Sequence, residues 1–120
     1  MESQKVRGII HLPEPCGLER ANVAVQVIDA SVMDVSAPVL AETRFALHAR
    51  GERTIPFTLN RPPRRDLDGR DIRVVAEVLA SPGGGVATGD YLTMESIRFD
   101  SQPEGMLEIP VKKVKAIQET

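Results

Sequence analysis

Apolar and polar residues alternate along most of this chain with period two, not with the three-and-four recurrence of a helix. Val6, Gly8 and Ile10 oppose Lys5, Arg7 and His11, which predicts a first strand. From Asn22 to Asp29, Val23, Val25 and Val27 share one face while Asn22, Ala24 and Gln26 share the other. A third strand, Val39 to His48, sets Ala41, Thr43, Phe45 and Leu47 against Leu40, Glu42, Arg44 and His48. Ile55, Phe57 and Leu59 point one way from the next strand, in which Pro56 forbids one ladder hydrogen bond and marks a sheet edge. Ile72, Val74, Ala76 and Val78 alternate with Arg73, Val75, Glu77 and Leu79, and Pro82 to Gly85 turns the chain back into Val86 to Ile97 as a hairpin. A last strand carries Leu107, Ile109 and Val111 inward.

The breaks between these runs have their own chemistry. Pro13, Pro15 and Gly17 stop the first strand. Asp29, Ser31 and Asp34 are short side chains that bond to nearby amides, so a helical turn or compact loop is expected before Pro38. Arg61 to Arg70 holds two adjacent prolines and little apolar material, which predicts a surface crossing between sheets. About seven short strands at this spacing predict an all-β, immunoglobulin-like antiparallel sandwich. It forms one domain over residues 5–115, with residues 1–4 and 116–120 expected to fray.

Composition narrows the function classes. Aromatic residues make up only 3% of the chain and Trp is absent, so the core falls to Val, Ile, Leu, Ala and a few Phe, and glycan stacking has little to work with. A formal net charge of -2 argues against a nucleic-acid partner, which selects for a basic face. No apolar run approaches the roughly 18 residues that a membrane helix needs, so no membrane insertion is expected. Cys16, the single cysteine, has no internal partner.

The chemical candidates are sparse. His11 and His48 would need to converge with a carboxylate such as Glu42 to hold a metal, and no ligand-spaced pair is present, so solvated side chains are the better account and no metal is expected. Asp29, Ser31 and Asp34 evoke a calcium loop, but Met33 and Leu40 stand where oxygen ligands belong. Gly83 to Gly85 lacks the Lys-Ser/Thr of a phosphate loop and reads as a hairpin tip. Ser31, Ser36 and Cys16 have no basic neighbour in sequence to activate them. No catalytic residue and no cofactor is expected. Two surface features remain. Arg61, Arg64, Arg65 and Arg70 form the densest basic patch, interleaved with Asp66, Asp68 and Asp71, and read as a solvated loop before an anion or acidic-partner site. Ile28, Leu40, Val75 and Leu79 fall away from the main core face and form a candidate partner surface, unless a loop or an alternate register covers them.

The order of Val6, Gly8 and Ile10, then Asp29-Ala30-Ser31 with Asp34, Ala37 and Pro38, then Ile55-Pro56-Phe57, then Ile72 to Val78 resembles the YscW/YbaY lipoprotein family over most of the chain. The resemblance implies an immunoglobulin-like sandwich tethered to the outer membrane by a lipidated N-terminal cysteine. It implies for some members a pilotin role, escorting the ring-forming secretin of a type III secretion system. Cys16 follows Pro13-Glu14-Pro15, not the apolar run of a lipobox. A cytoplasmic location is therefore expected for the chain as it stands, with the periplasmic face of the outer membrane as the alternative if a signal precedes it. The expected function is a non-catalytic module that binds a protein partner through a sheet edge or an apolar face. The first or last strand is the expected edge. A soluble small-ligand or glycan-binding sandwich is the alternative.

Overall fold

The computed structural model describes residues 5–31, 38–63, 65, 67, 69–81, 86–99 and 106–115. The turn expected near Asp34, Arg64 of the basic patch, the Gly83 to Gly85 tip and both expected frayed ends lie outside them.

The alternating runs become β1 (Lys5–His11), β2 (Arg20–Asp29), β3 (Val39–His48), β4 (Thr54–Asn60) and β5 (Ile72–Leu79). The shorter β6 (Tyr91–Leu92), β7 (Ile97–Arg98), β8 (Met106–Pro110) and β9 (Lys112–Lys113) follow. They form two sheets. The smaller runs β4-β1-β8, and the larger runs β3-β2-β5-β6-β9 with β7 also on β5. The fold is thus an all-β sandwich, as the period-two pattern predicts. Consecutive strands are traded between the layers. β1, β4 and β8 belong to one sheet while β2, β3 and β5 belong to the other, and β8 passes through buried Val111 into β9 of the larger sheet.

Between the layers lie the inward residues of each strand. Val23, Val25 and Val27 meet Val74, Ala76 and Val78 from the larger sheet, and Val6, Ile10, Ile55, Phe57, Leu59, Leu107 and Ile109 from the smaller, all buried. Ile55, Ile10 and Ile109 sit in register across the three strands of the smaller sheet, each with no exposed surface. Gly8 is opposite Phe57, whose ring fills the space that a side chain at position 8 would take.

Three expectations change. β1 is central in its sheet, not an edge, and β8 runs parallel to it. Pro56 does lie on an outer strand, but it forfeits no ladder bond. Leu12 N–H donates to the Arg53 carbonyl at 2.9 Å, so the 10/55 and 8/57 pairs share that hydrogen-bonded parity and the nitrogen of Pro56 faces the open side. Proline blocks the edge at no internal cost.

Two buried carboxylates organise the connections. Asp90 accepts from the amides of Ala80 (2.9 Å) and Ala87 (2.7 Å), which closes the hairpin leading out of β5. Asp29 accepts from the Ser31 amide at 3.0 Å, from the Ser31 hydroxyl, and from Arg70 Nη1 at 2.7 Å. The Ser31 hydroxyl, then Arg70 and the Ser31 amide, hold the Asp29 carboxyl below its ordinary value. A folded pKa below the unfolded one contributes stability that is present above the ordinary carboxylate range and is lost as pH falls through the folded value. Denaturant midpoints should therefore drop on acidification below about pH 4. Asp29→Asn should flatten that drop without abolishing it, because Glu14 and Glu42 are also held low. An unchanged acid slope in the variant would show that Asp29 carries none of it.

At one end of the sandwich, Tyr91 is fully buried yet reaches the rim. Its hydroxyl donates to Glu14 Oε2 and accepts from the Gly17 amide, both at 3.2 Å, while Lys113 Nζ lies 3.0 Å from Glu14. Burial pushes the Tyr91 phenol up. This network ties the connection between β1 and β2 onto β6 and β9.

Candidate functional site: the outer face of the larger sheet

Because side chains alternate, the residues of β2, β3 and β5 that miss the core form one outward surface. Register places Asn22 between Ala46 and Leu79, Ala24 between Arg44 and Glu77, and Gln26 between Glu42 and Val75. Ile28 lies between Val39 and Arg73, and Leu92 of β6 lies beside Glu77. Ala24 is small and flanked by long neighbours, so the surface sinks there. A hollow of about 280 Å³ is lined by Asn22, Ala24, Arg44, Glu77, Leu79 and Ser81 among others. A second, of about 150 Å³, is lined by Ala24, Gln26, Val75, Glu77, Leu92 and Thr93 among others. They share Ala24 and Glu77 and so make one shallow trough across the strands.

Its walls are held in place. Gln26 Nε2 donates to Glu42 Oε2 at 2.6 Å, and Arg44 Nε donates to the same oxygen at 3.0 Å. Those bonds, with Gln26 foremost, lower the Glu42 pKa. Asn22 Nδ2 donates to the carbonyls of Leu79 (3.3 Å) and Ala80 (3.2 Å). The result is an apolar floor between fixed polar walls, too shallow to enclose a drug-sized ligand and suited to receiving side chains from a protein segment.

Of the expected partner surface, Val75 lines this trough half-buried and Ile28 continues the same face. Leu79 borders the first hollow but is itself buried, at 5% exposure, so it backs the trough and presents little surface. Leu40 does not join them. The β2–β3 register shifts between Val27 and Ile28, so Val39 pairs with Ile28 and takes the outward position at 50% exposure. Leu40 instead packs against the core. Ala24, Arg44, Glu77 and Leu92 also line the trough, and the alternation by itself does not single them out. The available signal is Ala24, the smallest outward residue of a central strand.

Among the described residues, Arg61, Arg65 and Arg70 of the basic patch go separate ways. Arg70 is committed to Asp29, and the Arg61 guanidinium lies over the Phe99 ring at 5.3 Å from its centroid. Arg65 is exposed. Sequence spacing could not reveal either partner. His11 and His48 lie on different sheets. His11 Nε2 is 2.9 Å from Glu108 Oε1, but both side chains are exposed, at 42% and 69%, and neither hollow borders them. Cys16 is buried, with its sulfur 3.8 Å from the Leu18 carbonyl. Among the described residues no helix is long and apolar enough to cross a membrane, and no three His, Cys, Asp or Glu side chains gather as a metal site would need.

A family model described as type III secretion system lipoprotein chaperone (YscW) matches residues 1–88. The chain belongs to the YscW family. The match runs from β1 through the whole of β5, so it includes the strands that supply Asn22, Ala24, Arg44, Val75, Glu77 and Leu79. A solved structure titled as an alternative pilotin from the type II secretion system of Vibrio cholerae superposes with a TM-score of 0.74 at 19% identity. The superposition covers 96% of this chain and 100% of that one. At that identity the likeness is one of fold. Comparison with the curated proteins yields no match.

Proposed function

We propose that this YscW-family chain is a non-catalytic docking domain that escorts a protein component during assembly of a secretion system, and that it grips a segment of that component in the trough over Ala24. YscW membership supports the accessory role, since the family is described as a lipoprotein chaperone of type III secretion. The observation that carries the site is the pair of adjoining hollows floored by Ala24, with half-buried Val75 and Leu92, backed by buried Leu79, set among Asn22, Gln26, Arg44 and Glu77. Such a surface buries a few apolar side chains and pairs polar groups at its rim, which is how transient protein contacts are built. The family description also favours the periplasmic face of the outer membrane over the cytoplasm as the working location.

Small-ligand or glycan binding has less to support it. Tyr91, Phe57 and Phe99 are buried, and Phe45 is on the core-facing side of β3, so aromatic rings do not form a stacking platform on the outer face.

The test uses synthetic peptides that together span the secretin encoded with the same secretion system, each titrated calorimetrically. Ala24→Leu extends a side chain into the trough and away from the core. It should weaken binding by about tenfold or more, equivalent to roughly 1.4 kcal/mol, with the unfolding midpoint little changed. Undiminished binding by a folded Ala24→Leu domain would remove the trough as the site.

A further inference from the structure

Among the described residues β3 pairs with β2 alone, so a ten-residue strand forms one edge of the larger sheet. The orientation of its backbone follows from one hydrogen bond. Ala49 N–H donates to the Glu19 carbonyl at 3.1 Å, continuing the register in which Arg20 faces His48. The 21/47, 23/45, 25/43 and 27/41 pairs therefore share hydrogen-bonded parity with β2, and Glu42, Arg44, Ala46 and His48 turn their own N–H and C=O groups to the open side. Beside this open backbone runs an apolar ledge. Ala41, Phe45 and Leu47 are only half-buried, whereas Val23, Val25 and Val27 next to them are between 0% and 2% exposed. Unprotected edges invite pairing with another chain. The outer strand β4 of the smaller sheet carries Pro56 with its nitrogen turned outward; β3 has no proline from Val39 to His48.

We propose that two copies of this chain join through β3, antiparallel about a two-fold axis at Thr43, so that the two larger sheets become continuous. Charge selects the register. With the axis at Thr43, Glu42 of each copy stands opposite Arg44 of the other, and these are residues whose N–H and C=O groups face outward and can exchange hydrogen bonds. Thr43 meets its own equivalent, and Phe45 meets Ala41 on the core side. An axis at Glu42 or at Arg44 would oppose identical charges, which destabilises a strand pair. An axis at Phe45 would put Arg44 opposite Ala46, without an acidic partner. The bulge beside Leu40 bounds the regular ladder at one end, and the symmetry of the contact bounds it equally at the other. Glu42 and Arg44 already lie in position, paired within their own strand at 2.9 Å and exposed. The contact leaves Ala24 uncovered and brings the troughs of the two copies onto one face.

Sedimentation equilibrium from low micromolar to millimolar concentration should show the mass doubling. Glu42→Arg converts two attractive cross-strand pairs into two repulsive ones and should raise the dimer dissociation constant by about tenfold or more. The swapped variant E42R/R44E should restore it, because the opposite charges again face each other. Circular dichroism of each variant checks that it remains folded. A chain that stays monomeric at millimolar concentration overturns the proposal, as does a dimer indifferent to Glu42→Arg or one that the swap fails to restore. Monomers whose Glu42 and Arg44 amides become protected from hydrogen exchange only on adding a secretin peptide would assign this edge to a foreign strand, and would overturn self-pairing as well.

Discussion

Gly8→Val should leave the domain largely unfolded at temperatures where the native chain is stable, although valine is the better strand former in isolation. A Cβ at position 8 would lie 2.6 Å from Phe57 Cε2 and 2.9 Å from the Leu107 carbonyl oxygen, both closer than such atoms come. The ring could swing aside, but Leu107 is backbone in the parallel ladder that holds β8 to β1. Relief therefore requires separating the two strands. Overpacking by a single methyl group in a tight core costs about 1–3 kcal/mol, which is the loss expected for Gly8→Ala; valine should exceed it. Adding Phe57→Leu to Gly8→Ala should recover part of the loss, because it removes the ring clash, but not all, because the carbonyl remains. A double-mutant cycle by urea unfolding reads this directly. Full additivity would mean that the ring and position 8 do not contend for the same space.

Ile10→Ala should be the most damaging truncation of the smaller sheet, at about 2–5 kcal/mol. Ile10 stands between Ile55 and Ile109, all three with no exposed surface, and the central strand has neighbours on both sides that cannot collapse inward without breaking register. Ile9→Ala, one position along, is the internal control. Ile9 is half-buried on the opposite face, across from Pro56 and Glu108, and its truncation should cost much less. Equal losses at the two positions would contradict the alternation on which the assignment of both faces rests.

The candidate site is partly legible in the sequence. Val75 and Leu79 stand out because an apolar residue on the polar side of a strand needs a reason; Val75 lines the trough half-buried, whereas Leu79 borders it as a buried side chain. Leu40 falls on the same side only if one alternation is extended through ten residues. The bulge opposite Val27 and Ile28 breaks that count, and nothing in the local pattern announces it. The four arginines look like a patch because they are close in sequence. Asp29, 41 residues from Arg70, claims one of them, and Phe99 lies beneath another.

What the sequence by itself determined is local: the all-β class, the core face of each long strand, and the edge position of β4 through Pro56. Each follows from the geometry of a single extended strand, in which side chains alternate and proline lacks a donor. Strand order, the central place of β1, its parallel pairing with β8 and, among the described residues, the edge position of β3 were decided only in three dimensions. Period two states which way a side chain points and not which strand lies beside it. Neighbours are selected by which faces can be buried together once the chain has crossed between layers. The trough is a product of that selection, since Ala24 makes a hollow only because Arg44 and Glu77 arrive on either side of it.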